Sequence, residues 1–109
     1  MQRRRMGREH HGIKSIYREY EDWEICSLEP HEPWMASNRK TSINLGMFMY
    51  IPREYHHWLH NTKEGREKNK EHMEEMKLKC LEYHRMSEHD FHEIFIKGNR
   101  LIRDKYIRR

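Results

Sequence analysis

Apolar positions along the chain change period several times, and each change marks an expected element. Ile13, Ile16, Tyr17 and Tyr20 fall at steps of three and four, so a short helix is expected from Ile13 to Asp22. Trp23 and Ile25 then alternate with Glu24 and Cys26, the period-two pattern of a strand running towards Ser27. Pro30 and Pro33 bracket His31 and exclude a helix interior, because neither has an N–H and each biases the preceding residue to extended backbone. The polar stretch MASNRKTSIN, residues 35–44, reads as a loop. The run Leu45–Ile51 (LGMFMYI) is short, apolar and ended by Pro52, which suits a buried strand.

Pro52 is a good first-turn residue for a helix over PREYHHWLHN, with Glu54 near its positive end. Gly65 is expected to break or bend the chain before a second helix, Arg66 to Arg85. There Met73, Met76, Cys80 and Tyr83, with Leu81 beside them, form one apolar face on a heavily charged rod. Ser87 reads as an N-cap over an acidic first turn, opening a helix that turns Phe91, Ile94 and Phe95 inward. Gly98 and Asn99 end it, and LIRDKYIRR forms a last short helix or a tail. The order strand, loop, strand, helix and further helices implies an α+β fold. No internal repeat is visible.

Composition narrows this picture. At 109 residues the chain is one domain near the lower end of independently folding sizes, and 35% hydrophobic against 37% charged residues leaves little apolar surface for a core. Eight methionines and ten histidines stand beside no valine and one alanine. A bound metal would add its binding energy to that of a thin core. The net charge of +4 suits an anionic partner such as nucleic acid, though charge alone is weak evidence. Residues 1–14, with Arg3, Arg4, Arg5, Arg8 and Lys14, read either as a solvated end or as an arm that contacts phosphates. Cys26 and Cys80 form no CxxC pair, so a reduced intracellular setting, cytoplasmic rather than secreted, is expected. No apolar run approaches membrane-spanning length, and the basic N-terminus lacks the apolar centre of a secretory signal.

The candidate chemistry lies between His31 and His60. His56 and His60 are four apart just after a helix start, so their imidazoles share one helical face and can hold one divalent metal; the alternative is a solvated face. His57 points elsewhere. His31 sits on nearly rigid extended backbone, a good mount for an imidazole that titrates near neutrality, or else an ordinary loop histidine. Glu32 alternates to the other side and reads as a ligand, a supporting group or a solvated carboxylate.

The stretch from Ala36 to His56 resembles the HNH (His-Me finger, ββα-metal) endonucleases found in phages and prophages. The matching features are His31-Glu32-Pro33-Trp34, the loop Ser37 to Lys40, the apolar run Leu45 to Ile51, and Glu54-Tyr55-His56 with His60. The charged helix and the segment Phe91 to Leu101 are similar to the family's closing part, so the resemblance covers roughly residues 26–102. It implies a small ββα-metal core, a two-stranded antiparallel hairpin plus a helix, with additional C-terminal helices. Residues 1–22 form a basic arm and short helix, and residues 23–109 the nuclease-like domain.

The implied activity is hydrolysis of DNA phosphodiesters with one divalent ion, Mg²⁺, Mn²⁺, Ni²⁺ or Zn²⁺. The implied partners are DNA and phage or mobile-element machinery, with no membrane. His31 is the candidate general base, with Asn38 shaping the loop that orients it. His56 and His60 are candidate metal ligands. Where relatives carry two adjacent histidines this chain has His31-Glu32. Either His31 is the base and Glu32 a ligand, the preferred assignment, or His31 is the ligand and Glu32 takes the place of the base. Arg39, Lys40 and Arg53 are candidate phosphate contacts, with Arg39 and Lys40 also readable as solvated loop charges. The alternative function is a nucleic-acid-binding protein of HNH descent without catalysis. A third is an interaction domain docking through the helix at residues 66–85.

Overall fold

A computed structural model describes residue 10, residues 12–35 and residues 38–107. The arginines of the expected basic arm (Arg3, Arg4, Arg5 and Arg8) and Ser37 of the loop lie outside the described residues. Among the described residues the chain forms one two-stranded antiparallel sheet and six helices, an α+β arrangement. None of those helices is long and apolar enough to cross a membrane.

The sheet pairs β1 (Glu29–His31) with β2 (Met49–Ile51), in the register Glu29 to Ile51, Pro30 to Tyr50 and His31 to Met49. Between the strands lies α2 (Arg39–Asn44), and after them come α3 (Arg53–Asn61) and the long α4 (Lys63–His84). Met49, Ile51 and Leu59 from β2 and α3 meet Met76 and Cys80 of α4 in one apolar cluster. Phe91, Ile94 and Phe95 of α5 (Glu88–Phe95) close it. The inward turn of those three α5 residues and the Ser87 cap, whose side chain accepts from the Asp90 N–H, are as expected. Asn99 caps α6 (Arg100–Tyr106) in the same way through the Ile102 N–H, so the last segment is a helix.

Several local expectations are corrected. Residues 13–21 form no helix; they lie as an irregular strap in which Ser15 Oγ donates to the Phe48 carbonyl and the Ile16 N–H to the Gly46 carbonyl. Trp23 to Ser27 is not a strand but part of α1 (Asp22–Ser27), because Glu21 and Glu24 form a reciprocal capping box. Trp23 is 62% exposed, so its alternation with Ile25 recorded no buried face. The polar stretch after Asn38 is helical, not a loop, with Ser42 and Ile43 facing inward. The strand expected over Leu45–Ile51 is confined to its last three residues. Before it Gly46 turns at φ +79°, and a Cβ there would stand 2.8 Å from the Lys14 carbonyl oxygen.

Gly65 interrupts nothing: it lies in the first turn of α4, donating its N–H to the Thr62 Oγ1 cap at 2.8 Å. A glycine is needed because a Cβ would fall 1.9 Å from the carbonyl oxygen of Trp58, where α3 and α4 come together. The inward face of α4 is also more polar than the methionine stripe suggests. Gly65, His72, Met76 and Cys80 are buried, while Tyr83 is 67% exposed.

Candidate metal centre

Three imidazoles converge where β1 meets α3. His31 closes β1 and is 1% exposed, and His56 and His60 project from one face of α3, half-buried and exposed respectively. One nitrogen from each lies within 4.8 Å of the other two. The ring centroids are separated by 5.1 Å (His31 to His56), 5.3 Å (His31 to His60) and 4.8 Å (His56 to His60). Drawing such nitrogens onto a shared ion takes a movement on the order of 1 Å, within reach of torsions at the exposed His60.

The surroundings select which nitrogens face inward. His31 Nε2–H donates to Asn69 Oδ1 of α4 at 2.7 Å, while Asn69 Nδ2 donates to the Pro33 carbonyl at 3.5 Å, which orients the amide. His31 Nδ1 is left buried with no hydrogen-bond partner. A bare imidazole nitrogen in an apolar setting is costly, and a cation at the centre of the cluster would satisfy it. His56 Nδ1–H donates to Glu29 Oε1 at 2.8 Å, leaving Nε2 as its ligand atom; Glu29 Oε2 accepts from Arg53 Nε at 2.9 Å. Metal-binding histidines commonly have their second nitrogen fixed in this way. The residues present therefore fit a divalent ion.

The electrostatics favour the neutral form of His31 and of His60. Burial is the main cause that pushes the His31 pKa down to about 4, and the nearby His56 and His60 add to it. The Asn69 bond and the Glu32 charge oppose that shift without overcoming it. The His60 pKa is also lowered, by burial first and by His56 second. Glu29 is held below the usual carboxylate range, chiefly by His56 and then by Arg53. Imidazoles that stay neutral present lone pairs to a metal at ordinary pH.

The remaining expected site residues are engaged by other partners or exposed. Glu32 is buried, but its Oε2 accepts from His10 Nε2 at 2.7 Å and its Oε1 from Arg39 Nε at 3.3 Å, so both carboxylate oxygens are already engaged and neither is among the converging ligand atoms. Burial raises its pKa, and His10 and Arg39 outweigh that to leave it lowered. Asn38 precedes α2 and donates from Nδ2 to the Phe95 carbonyl at 3.2 Å, tying the segment to α5 and not to the histidines. Lys40 is exposed, as is Arg53 with 83% of its side chain open. His57 is exposed and takes no part.

Three residues at the site were not anticipated: Glu29, Asn69 and His10. Asn69 had a visible signal, since it stands four after Gly65 and seven before Met76, a polar residue in phase with the buried face of α4. No protein-family model, curated protein or solved structure matches the chain.

Proposed function

We propose that the protein is a metal-dependent phosphodiesterase acting on DNA, with His31, His56 and His60 as the metal ligands on a ββα-metal core. The observation that carries this reading is the orphaned, buried Nδ1 of His31 beside the two α3 imidazoles. Three protein ligands with one side open to solvent are characteristic of catalytic metal sites, whereas structural sites are closed by four. Imidazole donors without a carboxylate suit Zn²⁺ or Ni²⁺ better than Mg²⁺. His31, His56 and His60 would hold the ion, which would supply Lewis-acid polarisation of a phosphodiester oxygen and acidification of a water molecule.

In this reading His31 is a ligand, not the base that the resemblance implies. A buried imidazole with a pKa near 4 is a poor proton acceptor at neutral pH. Glu29 steers His56 and reaches Arg53, which stands at the start of α3 with its guanidinium largely in water, able to neutralise a phosphate next to the one cleaved. Arg39 is tied to Glu32 through Nε alone and keeps more than half of its side chain exposed for the same purpose.

The test is plasmid cleavage with Zn²⁺, Ni²⁺, Mn²⁺ or Mg²⁺ beside the His60→Ala variant. Nicking supported by Zn²⁺ or Ni²⁺ and lost in the variant is expected. Retarded DNA migration with no metal giving cleavage above the variant would instead support a binding protein without catalysis.

A further inference from the structure

A second recess lies on the far face of the sheet. In the antiparallel register Met49 faces His31 and Tyr50 faces Pro30, and successive strand residues alternate sides, so Tyr50 and His31 point to opposite faces. Against Tyr50 the strap and Asp22 and Ile25 of α1 line a cavity of about 340 Å³ that opens to solvent, within the size range of small-molecule sites. Its walls include Lys14, Arg18, Glu19, Tyr20, Asp22 and Tyr50.

One wall is a rigid flat plate. The Arg18 guanidinium lies 3.9 Å above the centre of the Tyr20 ring. It is also clamped by Nη1 donating to the Glu19 carbonyl at 2.7 Å and Nη2 to Glu24 Oε2 at 2.9 Å. Tyr20 is itself fixed: its hydroxyl accepts from the Tyr50 N–H at 3.2 Å, and its ring meets the Tyr50 ring edge-on at 4.8 Å. A guanidinium plane held in this way is a stacking surface for a nucleobase.

The charges of the walls describe the rest of the ligand. Arg18 is already paired with Glu24, and Lys14 stands against Glu19, so a simple anion gains little. A flat heterocycle carrying both acceptors and donors gains on every side. Guanine fits this pattern well: its O6 and N7 accept from a cation, and its adjacent N1–H and N2–H donors match one carboxylate. We infer that the cavity between the strap and β2 binds an unpaired guanine base, stacked on Arg18, with Lys14 at O6 and N7 and Glu19 at the N–H edge. The binding stands apart from the metal centre; its use as a sequence preference in cleavage rests on the proposed nuclease function.

The full chain is titrated calorimetrically in EDTA with GMP, AMP, CMP, UMP and inorganic phosphate, so no metal chemistry contributes. GMP is expected to bind at least about tenfold more tightly than each of the others. Glu19→Gln and, separately, Lys14→Met should each remove most of that preference. Circular dichroism identifies variants that have not folded, and the wild-type comparison among ligands decides without them. Equal affinity for the four nucleotides, phosphate binding as tightly as GMP, or no binding overturns the inference. GMP preference without metal-dependent cleavage leaves the cavity assignment standing and removes the nuclease function. Cleavage without GMP preference does the reverse.

Discussion

Asn69 Oδ1 on α4 accepts from His31 Nε2–H on β1 across 2.7 Å, and this bond determines which nitrogen of His31 is left for a metal. If it serves that purpose, Asn69→Ala lowers zinc affinity by roughly 10–100-fold, the usual effect of losing a contact that orients a ligand. Asn69→Asp keeps the acceptor and adds a charge, so its affinity should equal or exceed that of the parent. Competition with a chromophoric chelator measures both. Unchanged affinity in the alanine variant would show that the bond supports packing alone.

The low pKa of His31 makes the metal-free protein sensitive to mild acid. The unfolded chain takes up a proton at this residue near 6.5, and the folded protein resists until about 4. The stabilisation is fully present above about 6.5 and is lost as pH falls towards 4, because the unfolded state binds the proton first. A gap of about 2.5 pH units corresponds to roughly 3 kcal/mol. Urea unfolding in EDTA between pH 7.5 and 5 should show a falling midpoint, and His31→Asn should flatten it. Carboxylates such as Glu32, whose ordinary value is 4.5 and whose folded value is lower, change the slope only at more acid pH. Parallel slopes in parent and variant would remove His31 as the cause.

Much of this arrangement was legible where a local signal and its tertiary use coincide. Ser87 precedes an acidic turn and an apolar face at Phe91, Ile94 and Phe95, and all act within one helix. Pro52 starts α3, and the four-residue step from His56 to His60 places both rings on one side. Errors arose where a distant group decides the outcome. Leu45 to Phe48 is apolar because it enters the core as a turn under the strap, not as a strand. Glu29 and Asn69 matter only because strand register and helix packing bring them to the histidines. Glu32 could not be placed without His10, which comes from a segment with no recognisable pattern.

Gly65 is the point at which the helix carrying two of the histidines touches the helix carrying Asn69. Helix propensity alone predicts that Gly65→Ala stabilises by about 1 kcal/mol. The close approach predicts the opposite sign, since the new Cβ would meet the Trp58 carbonyl oxygen at 1.9 Å and the Leu59 Cα at 2.8 Å, both backbone atoms that cannot rotate away. Overpacking of this kind costs about 1–3 kcal/mol or more, so the variant should unfold at lower urea and bind zinc more weakly. A raised midpoint would mean that α3 and α4 separate freely.

Glu32 distinguishes the two ligand sets that the sequence left open. Its oxygens are occupied by His10 and Arg39, so removing its charge should disturb folding more than metal binding. Glu32→Gln retains the shape and part of the hydrogen bonding, and a loss on the order of 1–3 kcal/mol in stability is expected from the unsatisfied partners. Zinc affinity should stay within about threefold of the parent, well short of the roughly 10–100-fold loss expected when a contact supporting a ligand is removed. His10→Ala should resemble it in both measurements, because the two side chains form one buried pair. A folded Glu32→Gln protein that binds zinc more than about tenfold more weakly, with His10→Ala unaffected, would make Glu32 a ligand and the three-histidine set incomplete.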